Sequence, residues 1–249
     1  MHYGFWEKST KSHHESLENP IRFLGDNIMI ENSDLCLDAG CGVGGVSRFI
    51  ARNYGARVIG VTLSDVQLNM AKQKAKEQGL HRQVEFFRKD FNHTGFEDES
   101  FTKVFGVESI CYSKRKIDFL KEAFRLLKKG GRIGIVDAFL TRTDFNESEA
   151  RAYRKFLDGW ALLNLSTVES FQIDLSIAGF SNIRFFDKGD TIQKSVARIY
   201  RTGLVTYPIT WIMFKLGLIP ENMHGHTISA LSQKKLVDYR MVTYGVFTA

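Results

Sequence analysis

The sequence predicts an α/β protein built on a doubly wound, mostly parallel, seven-stranded sheet. Three observations carry this. Short apolar runs alternate with amphipathic helical segments from about residue 13 to residue 140. The first of those runs ends in a glycine-rich turn, "LCLDAGCGVGG" at 35–45. Two further strand-like segments stand late in the chain with a long helical stretch between them, as expected of an antiparallel pair closing one edge of the sheet.

The elements follow in order. Residues 13–30 have the period of an amphipathic helix, and "DLCLDAG" is a short buried strand. "GGVSRFIARNYG" is a helix stopped by Gly55, "RVIGVTL" a second strand, and "SDVQLNMAKQKAKEQG" a helix stopped by Gly79. "VEFFRKD" and "FTKVFGVES" are strands three and four. "KIDFLKEAFRLLKKGG" is expected to be a helix with Lys128 and Lys129 in its last turn and a glycine after it, and "RIGIVDAF" is strand five. Beyond 140 the pattern loosens: 146–160 and 167–178 read as helices, "FSNIRFFDKG" as a strand, 190–240 as mostly helical and aromatic, and "YRMVTYGVFTA" as the last strand. In an open parallel sheet, ligands bind beyond the carboxyl ends of the strands, where strand order switches. The 190–240 insertion is expected to lie over that site as a cap.

Composition bounds the rest. The chain has 249 residues, 43% hydrophobic and 25% charged, enough for one α/β domain with an insertion. A single domain over 1–249 is expected, with a core over 31–140 and the cap and closing strands over 141–249. Three cysteines, Cys36, Cys41 and Cys111, have no pairing pattern, which fits a reducing compartment. The polar and aromatic opening, "MHYGFWEKSTKSHH", lacks the features of a signal peptide, so a cytoplasmic location is expected. The net charge of +6 comes from scattered lysines and arginines, among them Lys72, Lys74, Lys76, Lys114, Arg115 and Lys116. They make no concentrated basic stripe, so nucleic acid is not an expected partner. Adjacent His13 and His14 point apart on a helix, and the "HGH" at 224–226 has no acid nearby, so no metal site is expected. No GxSxG motif is present.

The turn carries Gly40, Gly42 and Gly44, which let the backbone bend sharply and a ligand come close, and the helix N-terminus behind it favours an anion. Asp38 stands two residues before the first glycine. It would repel a pyrophosphate, since two like unit charges about 4 Å apart cost about 4 kcal/mol at an effective dielectric near 20. It would attract a ligand that is positive at that point.

"LDAGCGVGG" resembles the first motif of class I S-adenosylmethionine-dependent methyltransferases, and the resemblance runs in order over 35–137. It implies a Rossmann-like methyltransferase fold and S-adenosyl-L-methionine as cofactor, whose positive methionine end Asp38 would complement. "GVTLSDVQ" puts Thr62 where most of that family has a ribose-binding acid, and is similar to the subgroup of cyclopropane-fatty-acid synthases, sterol C-methyltransferases and tocopherol methyltransferases. There Thr62 and Gln67 would approach the ribose, with Asp65 as an alternative. Ser64-x-x-Gln67 is equally a capping box for the next helix. After strand three, Asp90 would accept from the adenine amino group and Phe91 would stack on the ring.

"GVESICYSKRK" resembles the subgroup's "ESxxH" stretch, placing Val107 beside the cofactor and Glu108 as base or cation stabiliser, with Tyr112 where many members have His. The opening "HYGFW" resembles the subgroup's N-terminal aromatic motif, so residues 1–30 are expected to form a lid with Tyr3 and Trp6 nearest the cofactor. In "GLVTYPITWIMFKLGLI" (203–219), Tyr207, Trp211 and Phe214 are expected to line a lipophilic pocket, joined by Trp160, or to form a peripheral membrane contact. The function expected is methyl transfer to a small lipophilic acceptor, an isoprenoid, sterol-like or prenyl-quinol molecule methylated at carbon. An N- or O-methyltransferase of a small natural product, and a non-catalytic binding protein, are the alternatives. Monomer and homodimer remain open.

Overall fold

The computed structural model describes residues 2–249, apart from the side chain of Asn222. One seven-stranded sheet runs in the order β3-β2-β1-β4-β5-β7-β6. Its strands are β1 (Leu35–Ala39), β2 (Arg57–Thr62), β3 (Val84–Arg88), β4 (Phe101–Val107), β5 (Leu127–Leu140), β6 (Arg184–Asp187) and β7 (Val242–Thr248). β1 to β5 are parallel to one another, and β7 pairs antiparallel with both β5 and β6. The late antiparallel pair therefore closes the edge as the sequence predicts. Strand order switches between β1 and β4, which opens the crevice beyond their carboxyl ends.

Alternation along the central strands divides the core. Cys36 of β1 faces a cluster with Phe5, Ile21, Leu24, Ile28, Phe49 and Ile50, packed by α1 (His13–Asn27) and α2 (Gly45–Tyr54). Leu37 and Ala39 face the other side, with Phe119, Leu120 and Leu126 of α4 (Lys116–Leu126) and Phe171 and Leu175 of α6 (Val168–Ala178). Both faces are covered, which is why these strands read as apolar runs and not as an alternating pattern.

Local signals set the helix ends. Ser12 caps α1, Ser64 caps α3 (Asp65–Glu77), Thr167 caps α6, and Asn146 with Glu149 forms a full capping box on α5 (Glu147–Trp160). Gly55 and Gly179 stop α2 and α6 in the left-handed conformation.

Two expectations are corrected. α1 ends at Asn27 and not at residue 30. The helix expected through Lys129 ends at Leu126; Leu127 to Gly131, including Lys128 and Lys129, belong to β5. Leu127 is buried and pairs with Phe101, and the register then shifts before Lys103 meets Arg132. Sheet pairing overrides the helical composition there.

Between β6 and β7 the chain forms α7 (Gln193–Lys215) and α8 (Glu221–Asp238). α8 packs against α5, and α7 against α8.

Candidate active site

Gly40, Gly42 and Gly44 all take positive φ, +82°, +54° and +72°. The Gly40 and Cys41 amides donate to the Val61 carbonyl at 3.0 and 2.9 Å, tying the turn to the end of β2. The glycines differ in what surrounds them. A Cβ on Gly40 would lie 2.5 Å from Ser109 Cβ and 3.6 Å from Phe91, and one on Gly44 would lie 2.5 Å from Phe86. A Cβ on Gly42 would meet nothing within 4 Å. Gly40 and Gly44 thus serve packing, and Gly42 faces the open crevice.

Asp38 is 1% exposed, and its Oδ2 accepts from Ser47 Oγ at 2.5 Å. Burial pushes its carboxyl up to about 7, against the opposing pull of the Ser47 hydroxyl and amide. The acid therefore braces the first turn of α2 from beneath the glycine turn. Thr62 Oγ1 donates to Gln67 Oε1 at 2.9 Å, and the Gln67 amide donates to Ser64 Oγ at 3.3 Å. The Ser64 half of the predicted box forms, while the Gln67 side chain goes to Thr62. Asp65 lies 3.5 Å from the Arg88 guanidinium. Asp90 Oδ1 accepts from the amide and side chain of Asn92, both at 2.8 Å, and Phe91 meets Phe119 edge-on at 5.5 Å.

At the end of β4, Val107 is half-buried and pairs with Val136. Glu108 then adopts φ +47°, a conformation that costs a non-glycine residue about 1–2 kcal/mol. Its amide donates to the Val136 carbonyl at 2.8 Å, while Ser109 Oγ donates to the Ala39 carbonyl at 2.5 Å. These two bonds clamp the strained residue between β5 and β1 and aim its carboxylate across the crevice. There Glu108 Oε1 accepts from the Tyr3 amide at 2.8 Å. The Tyr3 hydroxyl donates to Gln233 Oε1 on α8, and the Tyr3 ring meets Tyr244 of β7 edge-on at 5.3 Å.

One buried polar atom of this cluster has no partner, Gln233 Nε2. The Tyr244 hydroxyl makes no hydrogen bond of full geometry but faces the Glu108 carboxyl. A buried amide ordinarily finds a partner, so Gln233 Nε2 is free to bond a ligand. Burial is the main cause raising the Glu108 carboxyl, opposed by the Tyr3 amide, and Glu108 in turn helps hold the Tyr244 phenol in its neutral form. Asp137 lies behind, accepting from the Cys111 and Ala138 amides at 2.9 Å each, with its carboxyl pushed up to about 6 by burial.

The N-terminal strap is anchored along its length. The Trp6 indole donates to Ser195 Oγ of α7 at 3.1 Å, the Gly4 amide donates to the same hydroxyl at 3.1 Å, and the Phe5 amide donates to the Ser16 carbonyl at 2.8 Å. Tyr3 and Glu108 are brought together; Trp6 lies further out, against Lys194.

Sequence reasoning missed Gln233, Tyr244 and Ser195. Gln233 sits in a polar helical stretch and Tyr244 in an ordinary strand, so neither carried a local signal. The cap residues require a correction. Trp211 is 47% exposed, and Tyr207 and Phe214 pack on His224 of α8, at 5.5 and 5.4 Å. Trp160 meets His226 at 5.2 Å. These aromatics do not turn inward over the strand ends, because α7 runs out along α8. Tyr112 is 51% exposed on the turn after Glu108, with burial the main cause pushing its phenol up to about 12. Among the described residues no group of three His, Cys, Asp or Glu could hold a metal ion.

With this geometry in place, the family described as "Methyltransferase domain" matches residues 37–135. Methyltransferase phqN of Penicillium fellutanum is 29% identical over 215 residues, 83% of this chain and 66% of that protein. Sterol 24-C-methyltransferase ERG6 of Saccharomyces cerevisiae is 29% identical over 234 residues, 83% of this chain and 60% of that protein. The chain thus spans less than two thirds of the length of these relatives. Among solved structures, the [4+2]-cyclase SpnF superposes with a TM-score of 0.83 at 20% identity, over 100% of this chain and 86% of that one. Geranyl diphosphate C-methyltransferase of Streptomyces coelicolor A3(2) does so with a TM-score of 0.77 at 19% identity, over 100% and 90%. The chain has the class I methyltransferase fold, and its residues 37–135 match the methyltransferase-domain family.

Proposed function

We propose that this protein transfers a methyl group from S-adenosyl-L-methionine to carbon of a small lipophilic acceptor, of isoprenoid, sterol-like or prenyl-quinol type. The observation that carries the proposal is the Tyr3–Glu108–Gln233–Tyr244 cluster. It sets a strained acid, two aromatic rings and a buried amide without a partner beyond the end of β4, next to the glycine turn.

The residues present fit the cofactor. Gly42 leaves room at the turn, and Asp38 below it gains charge when a positive group approaches. Thr62 with Gln67 offers hydroxyl and amide groups to a ribose, and Asp90 with Phe91 offers an acceptor and a ring face to an adenine. Bound there, the sulfonium would supply an activated methyl carbon open to in-line attack by the acceptor, its C–S bond breaking to release S-adenosylhomocysteine. The chain then has three tasks: aligning the acceptor, excluding water and handling the charge that results. The strap from Tyr3 to Trp6 excludes water. The Gln233 amide orients a polar end of the acceptor. Methylation at an alkene or ring carbon leaves a cation, which the Tyr3 and Tyr244 rings stabilise by about 0.5–2 kcal/mol each. Glu108 then takes up the proton that the methylated carbon releases, a role suited to an acid whose pKa burial has raised.

The sterol 24-C-methyltransferase and geranyl diphosphate C-methyltransferase names support a lipophilic acceptor. The test is incubation with methyl-labelled S-adenosylmethionine and a panel of prenyl quinols, isoprenoid diphosphates and sterols, with products located by mass spectrometry and NMR. A new carbon–methyl bond is expected. Label on nitrogen or oxygen overturns the carbon assignment, and cofactor binding without transfer to any acceptor overturns catalysis.

A further inference from the structure

The second half of α7 is amphipathic in the reverse sense. Thr210 points inward: its Oγ1 lies 3.2 Å from His224 Nδ1 and within 3.5 Å of the Thr227 hydroxyl. Gly203 seats the helix closely on Ala230 and Leu231. The outer face carries Leu204, Val205, Ile209, Ile212 and Leu216, with Val205 70% and Leu216 67% exposed. Trp211 stands at its edge, and Leu218 continues it past the helix end.

The charge on α7 itself has one sign, with Asp190 and Glu221 just outside it. From 191 to 220 the chain has no Asp or Glu, against Lys194, Arg198, Arg201 and Lys215. Arg201 and Lys215 bracket the apolar strip one turn before and just at its end. We propose that this face docks on an anionic lipid surface, with the apolar strip in the acyl boundary and the arginines and lysines at the phosphates. No helix among the described residues is long and apolar enough to cross a membrane, so α7 lies along the surface.

A second copy of the chain fits less well. A two-fold interface would bring Arg201 and Lys215 of both copies to one rim with no acid on α7 to meet them. The strip from 204 to 216 is about 20 Å long and about 10 Å wide. That is roughly 200 Å², against about 800 Å² per partner in a stable dimer. A lipid surface needs no complementary partner area and supplies the negative charge. The inference does not depend on the proposed reaction.

The test is co-sedimentation of the full chain with vesicles of phosphatidylcholine alone and with about one third phosphatidylglycerol, at low and physiological salt. Binding to the anionic vesicles, weakened by salt, is expected. Val205→Glu with Ile212→Glu should lower the bound fraction at least about 10-fold, because charges enter the acyl boundary. Both side chains are exposed, so circular dichroism and cofactor affinity should be unchanged. Arg201→Glu with Lys215→Glu should remove the preference for anionic over neutral vesicles. Wild-type protein left in the supernatant with anionic vesicles overturns the proposal, as does undiminished binding of the Val205→Glu, Ile212→Glu variant. A solution dimer that this variant splits into monomers assigns the face to a second copy and also overturns it.

Discussion

The Tyr3 amide donates to Glu108 Oε1 at 2.8 Å across 105 residues of chain. One bond thus ties the N-terminal strap to the acid at the end of β4. The position of the strap and that of the acid are thereby coupled. The bond also opposes the effect of burial on Glu108, so the acid's proton affinity depends on whether the strap is in place.

Glu108→Gln should therefore reduce turnover by roughly 10²- to 10⁴-fold, the usual contribution of a positioned acid–base group. Gln retains an oxygen for the Tyr3 amide, so cofactor affinity should change little. In the wild type the rate should rise with pH through a value above the ordinary carboxylate range, as Glu108 loses its proton and becomes a base. The variant should lack that limb. Rapid-quench turnover against pH, with cofactor binding by calorimetry, checks both; unaltered turnover would return Glu108 to a structural role.

Gln233→Leu separates the stabilising from the functional part of the cluster. It removes the unpartnered Nε2 but leaves the Tyr3 hydroxyl without its acceptor. An unpaired buried hydroxyl costs about 1–3 kcal/mol. Adding Tyr3→Phe removes the second polar group and should recover most of that loss. The acceptor KM should rise about 10-fold in both variants, as expected for one lost hydrogen bond near 1.4 kcal/mol. Melting curves and steady-state kinetics on the single and double variants measure the two effects. A double variant less stable than Gln233→Leu alone would contradict the pairing.

Asp38 should leave a signature in the pH dependence of stability. Its native carboxyl sits at about 7, against an ordinary 3.8. Between those values the native state binds more protons than the unfolded chain. This contribution is complete below about pH 4, declines as pH rises, and is lost above about pH 7. The slope approaches about 1.4 kcal/mol per pH unit. Asp38→Asn should flatten that part of the curve in urea titrations from pH 4 to 8. In the wild type, affinity for the positively charged cofactor should increase as pH passes 7; in the variant it should not. Parallel pH curves for the two proteins would remove Asp38 from both roles.

The glycines of the turn should divide by function. Gly40→Ala puts a methyl 2.5 Å from Ser109 Cβ and should destabilise the fold outright. Gly42→Ala meets no protein atom within 4 Å and bears only the left-handed backbone cost of about 1–2 kcal/mol. Its methyl enters the crevice, so cofactor affinity should fall far more than stability. Calorimetric titration of a folded Gly42→Ala protein that binds S-adenosylmethionine normally would show that the crevice lies elsewhere.

The sequence by itself determined the elements and their connection. Apolar runs such as "LCLDA" read as strands buried on both faces, and Ser64, Gly55 and Gly79 marked helix ends, because these signals act within a few residues. The glycine turn and Glu108 were legible for the same reason: their residue types stand beside strand ends. Only the tertiary structure decided what those elements meet. It turned Leu127 into a strand residue through Phe101, and sent Asp38 to Ser47. It joined Tyr3 to Gln233 across 230 residues and left the apolar face of α7 outward. Periodicity identifies an apolar face but not its partner. Hydrogen bonds between distant residues depend on chain topology, which no local window of sequence contains.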